Sequence, residues 1–516
     1  MRDAYQVEAV RTAERALMEI VPDGTLMGRA AAGLASICAA LLRREPGHVY
    51  GARVVVLAGS GDNGGDALYA AAQLARRGVA VTAIAAGSRV HPGGSAALRE
   101  AGGRVTDDTG DAAGLMDTAD LIVDGLLGIG GRGGLREPFA GLAARAGQAR
   151  QAGATVVAVD LPSGIDADTG AVDGPAVRAD VTVTFGTLKP GLLIDPGAGH
   201  AGAVELVDIG LGPYLKEPYL KGGPQAAAPQ RDDIRELLPR PGAESDKYRR
   251  GVLGLLAGSD RFTGAVLLSA GGAVHGGAGM VRVVTADVAA VLVRQTWPET
   301  VVTVHPDAVR PGDGDWDPGS VGRVQAWVAG PGMGTDEVAA ARLTAILRTD
   351  VPVLVDADGL TILSQHQGLL PRSSSDSAPT LITPHAGELA RLLGTDPASV
   401  EARRLEHARR AAGQLGVTVL LKGSTTIIAA PDDDSGPVLV NPTGTPWLAT
   451  AGSGDVLSGL SGALLAQGLT PAQAGLAGAY LHGLAGRLAA SPDGAGQAPI
   501  GASDLVRALP AAFRSL

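Results

Sequence analysis

The chain has 516 residues, more than one hydrophobic core usually organises, so we expect two or more domains. Its formal net charge of -10 excludes proteins that bind nucleic acid through the phosphates, because that binding requires a basic face. The single cysteine, Cys38, excludes an internal disulfide. Charged residues begin too early for a signal peptide, and no uninterrupted apolar run reaches the length of a membrane span. We therefore expect a soluble, cytoplasmic protein.

The first part of the chain alternates short β-rich segments with helical patterns. The β-rich segments end at glycine or aspartate, as strands do where they enter a turn. This βαβ alternation predicts a parallel sheet covered by helices. The predicted strands are 53–58, 79–85, 121–124, 155–160 and 181–185.

The segment 212–231 is rich in proline and glycine and has no sustained periodicity, which is typical of a linker. We therefore assign residues 1–211 to an N-terminal domain and 232–516 to a C-terminal domain. The βαβ pattern recurs after the linker and predicts a second α/β domain. Its predicted strands are 252–257, 280–285, 326–330, 351–356, 380–383 and 417–421.

Glycine-rich loops follow several predicted strands of the N-terminal domain. Ligands of open parallel sheets bind beyond the carboxyl ends of the strands, so these loops form the candidate site. The loop 59–68 is either a phosphate cradle or a plain strand-to-helix turn. The loop 125–136 either closes over phosphates with its positive charge or is a flexible lid. The loop 159–166 places the carboxylate of Asp160 and the hydroxyl of Ser163 at the same edge of the sheet.

Three side chains of these loops offer only oxygen atoms to a metal ion. They are Asn63, Asp124 and Ser163. Oxygen ligands suit a hard cation better than they suit zinc or copper. The sequence therefore predicts a hard cation at this edge of the sheet.

The motifs GSGDNGGDAL, VDGLLGIGGRG and VDLPSGID, together with Leu26 and Met27 after an N-terminal helix, resemble the N-terminal domain of the NAD(P)H-hydrate epimerases over about residues 1–211. The resemblance implies that Asn63, Asp124 and Ser163 hold potassium. It also implies that the hydrated dinucleotide is bound by Asp160 and by two loops, whose residues are Asp62, Asn63, Gly64, Gly65, Asp66, Gly128, Ile129, Gly130, Gly131, Arg132, Gly133 and Gly134.

Two residues depart from the commoner form of these motifs. Asp62 stands where the family often has asparagine, and Ala67 replaces a frequent glycine. The amide cradle is unaffected, but the added negative charge predicts weaker phosphate affinity. We expect Asp160 to be the general acid/base that inverts C6 of the hydrated nicotinamide ring. We expect Lys189 to be an exposed turn residue, with assistance to Asp160 as the alternative.

The C-terminal domain has its own strand-end loops. The loop 422–426, KGSTT, supplies a cation and hydroxyls for phosphates or is a simple hairpin turn. His385, in TPHAGE, is either a satisfied turn histidine or, because it follows a strand, a functional residue. Asp455, in AGSGDVLSG, precedes a predicted helix at 456–467. It is either a base beside a phosphate held by the glycines and the helix dipole, or only a helix N-cap.

Together with GSDRFTGA and GPGMG, these loops resemble the ADP-dependent NAD(P)H-hydrate dehydratases over about residues 232–516. The resemblance implies an α/β chain with an N-terminal Rossmann-like three-layer parallel sheet and a C-terminal ribokinase-like sheet. Trp447 stands for a glycine of that family and Ser453 for a threonine, which affects nucleotide preference more than catalysis. The implied substrate contacts are Ala265, Gly332, His385 and Asp455, and the implied contacts to the adenine nucleotide are Lys422, Gly423, Ser424, Thr425, Thr426 and Gly454.

The two resemblances together imply repair of a damaged cofactor. One domain would epimerise (R)- and (S)-NAD(P)H-hydrate, and the other would dehydrate the (S)-epimer to NAD(P)H while ADP is cleaved to AMP and phosphate. Asp455 would take the proton of the C6 hydroxyl as that oxygen attacks the terminal phosphate of ADP. The implied cofactors are potassium in the first domain, and magnesium with ADP in the second.

Other expectations concern partners and alternatives. We expect the ligands to be hydrated NADH or NADPH and ADP, with no nucleic acid or membrane partner, in a homo-oligomer whose size the sequence does not give. The sequence does not decide whether Glu388 organises the magnesium ion. One alternative is a ribokinase-like small-molecule kinase fused to a nucleotide-binding domain. The other is a non-enzymatic role of the N-terminal half as a binding or scaffold module.

Overall fold

The computed structural model of the protein describes residues 1–87, 89–305, 316–366, 368–370, 378–431 and 436–516. The chain divides into the units Arg2–Ala226 and Ala227–Leu516. The boundary between them falls inside the predicted linker 212–231. That segment contains a 3-10 turn at Gly212–Leu215. The domain limits 1–211 and 232–516 stay a prediction.

A parallel sheet of seven strands forms the centre of the N-terminal unit. Its order is β4-β3-β2-β5-β6-β7-β8, and every neighbouring pair is parallel. The strand order reverses between β2 and β5, which is where open sheets of this type bind ligands. The strands of this unit are β1 (Arg2–Ala4), β2 (Arg53–Ala58), β3 (Ala80–Ala85), β4 (Arg104–Thr106), β5 (Leu121–Gly125), β6 (Thr155–Val159), β7 (Val181–Phe185) and β8 (Ala203–Val207).

Helices cover both faces of this sheet. Alternate residues of a strand point to opposite faces. Val54 and Val56 of β2 therefore belong to one hydrophobic core and Val55 and Leu57 to the other. The sheet and the helices on its two faces therefore form three layers. The helices are α1 (Val7–Met18), α2 (Thr25–Arg44), α3 (Asp62–Ala75), α4 (Pro92–Glu100), α5 (Ala112–Met116), α6 (Phe139–Gln151) and α7 (Ala198–Ala201).

Among the described residues, one helix is long and apolar enough by length and composition to cross a membrane, namely α2. Its side chains Leu34, Cys38 and Leu42 lie in the core of the N-terminal unit. A core helix satisfies the same criterion, so this observation is weak evidence for a membrane span. Arg29 interrupts the apolar run, which is why the sequence pattern did not single it out.

The C-terminal unit contains a second, mostly parallel sheet. Its strands follow the order β18-β17-β16-β15-β14-β13-β10-β11-β12. All neighbouring pairs from β10 to β16 are parallel, whereas β16, β17 and β18 are antiparallel. The strands are β9 (Ala226–Ala228), which spans the boundary of the units, β10 (Val252–Leu256), β11 (Met280–Thr285), β12 (Val301–Val304), β13 (Ala326–Ala329), β14 (Val353–Val355), β15 (Thr380–Ile382), β16 (Thr418–Leu421), β17 (Thr426–Ala429) and β18 (Val438–Asn441).

The strand order again reverses, here between β10 and β13, so the two units confirm the predicted α/β fold class. Helices pack on both sides of the sheet. They are α8 (Arg231–Leu237), α9 (Thr263–His275), α10 (Asp287–Thr296), α11 (Glu337–Leu347), α12 (Asp358–Gln365), α13 (Ala386–Leu393), α14 (Pro397–Ala402), α15 (Arg404–Leu415), α16 (Ser453–Ala466), α17 (Pro471–Ala490) and α18 (Ala502–Arg514).

Two of these helices, α9 and α16, cross in direct backbone contact. A Cβ at Gly459 would overlap the carbonyl oxygen of Ser269, and one at Gly272 would overlap the carbonyl oxygen of Val456. Only glycine leaves room for such an approach. The crossing holds the second half of α9 against the first two turns of α16.

Candidate active sites

Loops of the N-terminal unit meet at the reversal point between β2 and β5. Gly59 follows β2, and a Cβ there would overlap the carbonyl oxygen of Leu126, which follows β5. A Cβ at Gly128 would lie 3.1 Å from the Cβ of Asn63. Ser163, after β6, accepts a hydrogen bond of 2.9 Å from a backbone N–H of the loop that follows β5. The structure therefore brings the three predicted loops together.

A cavity of about 1060 Å³ opens beside these loops. Protein pockets for small molecules commonly hold about 300–1,000 Å³, so this one suits a large ligand. The predicted substrate residues that line it are Asp62, Asn63, Asp66, Gly128, Ile129, Gly130, Gly131 and Asp160. Other predicted residues are outside the lining, namely Gly64 and Gly65, which are buried in α3, and Arg132, Gly133 and Gly134, which lie further along the loop after β5.

The first turn of α3 forms one wall of the cavity. The helix begins at Asp62, with Gly61 as its N-cap. The sequence motif of Asp62 to Asp66 is therefore helical, and the free backbone N–H groups of a helix N-terminus point outward at such a position. This geometry can hold an anion, and it is also an ordinary strand-to-helix turn.

Asp160 is held by a dense set of donors at the end of β6. Its backbone has a φ of 64°, a left-handed conformation that non-glycine residues rarely adopt. Its Oδ1 accepts hydrogen bonds from Thr184 Oγ1 at 3.0 Å and from the Phe185 N–H at 3.1 Å. It also accepts one from Lys189 Nζ. The strained backbone therefore presents a carboxylate that is already positioned.

Lys189 corrects one expectation. The sequence predicts an exposed turn lysine, but the residue is only 1% exposed. Its Nζ also donates to Thr184 Oγ1 and to the carbonyl oxygen of Phe185, each at 3.1 Å. A buried ammonium is stable only when it is paired and hydrogen-bonded. The expectation is wrong because the adjacent Asp160 supplies that partner, which the sequence pattern could not reveal.

Two more carboxyl groups line the same cavity, those of Glu14 and Asp66. Burial, and then the negative charges of Asp160, Asp62 and Glu14, raise the pKa of Asp66 to about 8. Burial also raises the pKa of Glu14. The Oδ1 of Asp66 is buried and accepts no hydrogen bond from the residues that the structure describes. Asp66 therefore carries a proton near neutral pH.

The predicted cation ligands lie close together, because Asn63 and Ser163 both hydrogen-bond the backbone of Leu127 and Ser163 also bonds Asp124. Asn63 lines the cavity, whereas Asp124 and Ser163 do not. Asp124 is fully buried, and it accepts hydrogen bonds from the Ser163 hydroxyl at 2.7 Å and the Ser163 N–H at 2.8 Å. Burial, opposed by these bonds, raises the pKa of Asp124 to about 6. No ion pair joins Asp124 to a cationic side chain in the part of the chain described. A buried carboxylate compensated only by dipoles, with hydroxyl and amide oxygens nearby, fits a hard monovalent cation.

In the C-terminal unit, the helix α16 begins at Ser453, three residues earlier than the sequence predicts. Asp455 is therefore within the first turn and is not the N-cap, which is Gly452. Burial is the main cause that raises the pKa of Asp455 to about 7, and the charge of Asp356 adds to it while Lys422 opposes it. A carboxylate with a pKa near neutrality is suited to accept a proton.

Lys422 lies in the hairpin turn that joins the antiparallel strands β16 and β17, so the simple turn predicted as an alternative is present. Its Nζ is 2.8 Å from Asp356 Oδ1 and 3.8 Å from Glu388 Oε2. A Cβ at Gly454 would lie 3.4 Å from the same Nζ. The structure thus places the ammonium at the N-terminus of α16. Of the remaining residues of the predicted nucleotide loop, Gly423, Ser424 and Thr425 continue this turn and Thr426 is the first residue of β17.

His385 is the N-cap of α13. Its Nδ1 accepts hydrogen bonds from the N–H groups of Gly387 at 3.0 Å and Glu388 at 3.4 Å, and Glu388 Oε2 accepts one from the His385 N–H at 2.8 Å. The side chain of His385 remains 59% exposed. The cap satisfies Nδ1 and leaves the outer edge of the ring facing solvent, so a capping role and a ligand contact are both compatible with this geometry.

The other two predicted substrate contacts lie side by side. Gly332 has a φ of 62°, and a Cβ there would lie 2.8 Å from the Cβ of Ala265, in the first turn of α9. Gly334, in the same loop, donates its N–H to Asp358 Oδ2 at 3.0 Å. Ala265 and Gly332 therefore form one contiguous wall.

Sequence reasoning assigned no role to several groups of this site. Asp356 is 1% exposed and accepts a hydrogen bond of 2.6 Å from the Ser458 hydroxyl. His482, on α17, lies with Nε2 2.8 Å from the carbonyl oxygen of Ser453, and burial lowers its pKa to about 4. A carbonyl only accepts, so neutral His482 donates to it. The acidic sequence DADG, at the end of the predicted strand 351–356, is a signal that could have identified Asp356, whereas nothing in the sequence pattern singles out His482.

Magnesium prefers oxygen ligands, which the acidic side chains of the C-terminal site offer. Within the described residues, no group of three or more histidine, cysteine or acidic side chains is arranged as a metal site. Magnesium is usually held by one or two carboxylates together with substrate phosphates and water. Glu388 is 8% exposed and faces Lys422. The acidic groups here fit an ion that arrives with a nucleotide.

Two protein families match the two units separately. The family described as "YjeF-related protein N-terminus" matches residues 23–191, and the family described as "NAD(P)H-hydrate dehydratase" matches residues 253–508. Each match falls within one of the compact units.

Similar proteins are known along the full length of the chain. A protein of Mycobacterium leprae named bifunctional NAD(P)H-hydrate repair enzyme Nnr is 46% identical over 100% of both chains. One of the same name from Mycobacterium tuberculosis is 47% identical over 92% of this chain and 91% of its own. A crystal structure of the ADP/ATP-dependent NAD(P)H-hydrate dehydratase from Bacillus subtilis, co-crystallised with ATP and Mg²⁺, is 30% identical, with a TM-score of 0.48 over 55% of this chain and 97% of that one.

Proposed function

The chain belongs to the family of bifunctional NAD(P)H-hydrate repair enzymes, and from this premise we propose which residues perform each of its two reactions. The enzyme epimerises (R)- and (S)-NAD(P)H-hydrate and dehydrates the (S)-epimer to NAD(P)H at the expense of ADP. The observation that carries the division of labour is the presence of two separate clusters of paired carboxylate and lysine, Asp160 with Lys189 and Asp356 with Lys422, one beyond the carboxyl ends of the strands of each sheet. We assign epimerisation to the N-terminal cluster and dehydration to the C-terminal one.

In dehydration, Asp455 acts as the base. It lies in the first turn of α16, where free N–H groups and the helix dipole favour a phosphate. The ammonium of Lys422 lies at the same helix end. A phosphate bound there therefore meets the cation and the carboxylate together. Ala265, Gly332 and His385 form the substrate side of the site, and Gly423, Ser424, Thr425, Thr426 and Gly454 form the nucleotide side.

The chemistry proceeds in balanced steps. Asp455 accepts the proton of the C6 hydroxyl as that oxygen bonds to the terminal phosphorus of ADP, and the bond from phosphorus to AMP breaks. The lone pair of the ring nitrogen then expels phosphate with the C6 oxygen. Loss of a proton from C5 restores the ring double bond. Most of the acceleration in phosphoryl transfer comes from positioning and charge neutralisation, which here fall to the α16 amides and Lys422.

Magnesium would be held by Glu388 together with the nucleotide, and when bound it neutralises charge on the phosphates. Glu388 Oε2 accepts the His385 N–H and also faces Lys422 Nζ, whereas Oε1 lies 3.6 Å from His385 Nε2. The cap of α13 thus fixes the Glu388 side chain beside the ammonium of Lys422.

In epimerisation, Asp160 acts as the general acid/base at C6. Lys189 holds its carboxylate in place through the hydrogen bond to Oδ1. The dinucleotide is held by the cavity walls, formed by Asp62, Asn63 and Asp66 on α3 and by residues 128–131 on the facing loop. The other predicted contacts, Gly64, Gly65, Arg132, Gly133 and Gly134, belong to the same helix and loop but do not line the cavity. Potassium, at Asn63, Asp124 and Ser163, would supply positive charge beneath these loops and hold them together.

We also propose the location, the assembly and the ligands of the enzyme. It is a cytoplasmic protein that acts as a homo-oligomer on hydrated NADH or NADPH with ADP. The absence of a disulfide-forming second cysteine supports a reducing location.

One experiment tests the function as a whole. Purified protein receives mixed hydrate epimers with ADP or ATP, and the recovered reduced dinucleotide is measured with AMP and phosphate. We expect both epimers to be consumed and one phosphate to be released for each dinucleotide restored. A stable phosphorylated product without restored NAD(P)H would instead favour the small-molecule kinase. Consumption of only one epimer would favour a binding or scaffold role for the N-terminal unit.

Two substitutions test the assignments separately. Asp455→Asn is expected to abolish dehydration while ADP binding and epimer exchange persist. Asp160→Asn is expected to abolish epimer exchange while dehydration of the (S)-epimer persists. The exposed Asp117→Asn and Asp493→Asn are matched controls in the respective units. Turnover at the parental rate in either of the first two variants refutes that assignment.

A further inference from the structure

We infer that Asp356 is a positioning residue for dehydration, which fixes the ammonium of Lys422 at the N-terminus of α16. This inference rests on the proposed roles of Lys422 and Asp455. It adds a residue with no assigned contact to either ligand, which positions Lys422 and whose charge also acts on Asp455.

The first observation is the burial and bonding of Asp356. The residue is 1% exposed, and both oxygens have partners on different elements. Oδ1 accepts from Lys422 Nζ at 2.8 Å, and Oδ2 accepts from the Ser458 hydroxyl at 2.6 Å. One carboxylate thus joins the β16–β17 turn to the second turn of α16. Lys422 has a long flexible side chain and would otherwise sample many rotamers.

The second observation is the backbone that presents Asp356. The next residue, Ala357, has a φ of 50°, in the left-handed region that residues with a side chain rarely adopt. Gly330 packs so closely on the Asp356 carbonyl oxygen that a Cβ there would overlap it. Strained conformations of this kind persist where the surrounding structure enforces them and often occur at functional sites. The strain directs Asp356 and Asp358 to different partners.

The third observation is the position of the pair relative to the base. A Cβ on Gly454 would lie 3.4 Å from Lys422 Nζ and 3.9 Å from Asp356 Oδ2. Gly454 immediately precedes Asp455. A neutral, mobile Lys422 could not neutralise a phosphate at this helix end, whereas the bonded ammonium is held there before any ligand arrives.

Charges on several elements act on Asp455. They are those of Asp356 after β14, Asp358 at the start of α12, Lys422 after β16 and Glu388 on α13. His482 on α17 is neutral and bonds the Ser453 carbonyl in the same helix turn. The Asp356 charge raises the pKa of Asp455, and the Lys422 charge lowers it. Loss of the Asp356 charge therefore moves the ionisation of Asp455 to lower pH, an effect that a purely structural role would not produce.

The test compares Asp356→Asn with Ser458→Ala. Asp356→Asn is expected to raise the KM for ADP about tenfold or more, to lower kcat, and to move the acidic limb of the dehydration profile to lower pH. Ser458→Ala keeps the carboxylate charge, so it is expected to raise the ADP KM only about twofold to threefold and to leave the acidic limb in place. Epimer exchange by the same preparations is the internal control for protein quality.

A second background keeps the test decisive if Asp356→Asn alone does not fold. In Lys422→Met the ammonium is absent, so adding Asp356→Asn is expected to change the ADP KM less than about twofold. A further tenfold rise in that background would overturn the inference. An unchanged ADP KM and pH limb in the Asp356→Asn single variant would overturn it as well. Asp455→Asn, assayed in parallel, separates the two ideas, because its continued turnover would refute the proposed base itself.

Discussion

Replacing Lys189 by methionine would test whether its buried ion pair with Asp160 supports the fold as well as the chemistry. Methionine keeps most of the side-chain volume but removes all three hydrogen bonds of Nζ. Removing one partner of a buried ion pair costs about 3–5 kcal/mol, because the other charge is left uncompensated. Thr184 and Phe185 continue to donate to Asp160. We therefore expect a loss of about 3 kcal/mol in the free energy of unfolding of the N-terminal unit.

The assay exploits the distribution of tryptophan. All four tryptophans lie in Ala227–Leu516, so their fluorescence reports unfolding of the C-terminal unit, while calorimetry detects both units. For a unit of this size, a loss of about 3 kcal/mol corresponds to a fall in Tm of about 6–12 °C. We expect that fall in the transition that fluorescence does not report, and none for the exposed Lys216→Met.

A double variant completes the argument. Lys189→Met with Asp160→Asn removes both charges and is expected to recover most of the lost Tm, although epimer exchange stays absent. If Lys189→Met unfolds within about 2 °C of the parent, the ion pair contributes little and the reasoning from burial is refuted.

Three further predictions concern other parts of the two units. Burial raises the pKa of Asp66 from 3.8 to about 8, so protonated Asp66 stabilises the fold. This stabilisation is fully present below pH 3.8 and is lost as the pH rises through about 8. Asp66→Asn should reduce the difference in the free energy of unfolding between roughly pH 5 and pH 9, measured by urea titration. An unchanged pH dependence would contradict this prediction. Ser163→Ala removes a hydrogen-bond donor to Asp124 and should lower the free energy of unfolding by about 1–3 kcal/mol. It should also raise the potassium concentration needed for epimer exchange, and an unaltered potassium requirement would argue against the cation site. Gly459→Ala should cost about 1–3 kcal/mol in tryptophan-monitored unfolding, in contrast to Gly264→Ala, where nothing lies within 4 Å of the new Cβ.

Much of the fold could be predicted from the sequence, because buried parallel strands are continuous apolar runs. The predicted segments 53–58, 181–185 and 280–285 coincide with observed strands. The short strands β4, β8 and β12 were missed, since edge strands have fewer buried residues to form a pattern. The hairpin turn at 422–426 was one of two predicted alternatives, but β18 and its antiparallel pairing with β17 were not predicted, because strand pairing depends on the three-dimensional path of the chain.

The candidate sites were predicted less completely than the fold. Glycine-rich motifs indicated which loops meet, because glycine is needed where backbones approach closely. They did not indicate which side chains pair. Lys189 and Asp160 are 29 residues apart in the chain, and Lys422 and Asp356 are 66 apart. Such long-range pairs depend on the three-dimensional path of the chain, and a single sequence contains no local signal for them.

The glycine crossing of α9 and α16 has a consequence for how the C-terminal site could evolve. Gly272 packs on the backbone of Val456 and Gly459 on the backbone of Ser269, so the two helices cannot move closer, and any larger residue would force them apart. The separation of α9 and α16 at their crossing is thus set by main-chain atoms. Ala265 and Asp455 are on these two helices, so side-chain substitutions can alter the chemistry of the site but not the spacing of the helices that carry them. A change in the size of ligand accepted would therefore require remodelling of the loops that carry the other site residues.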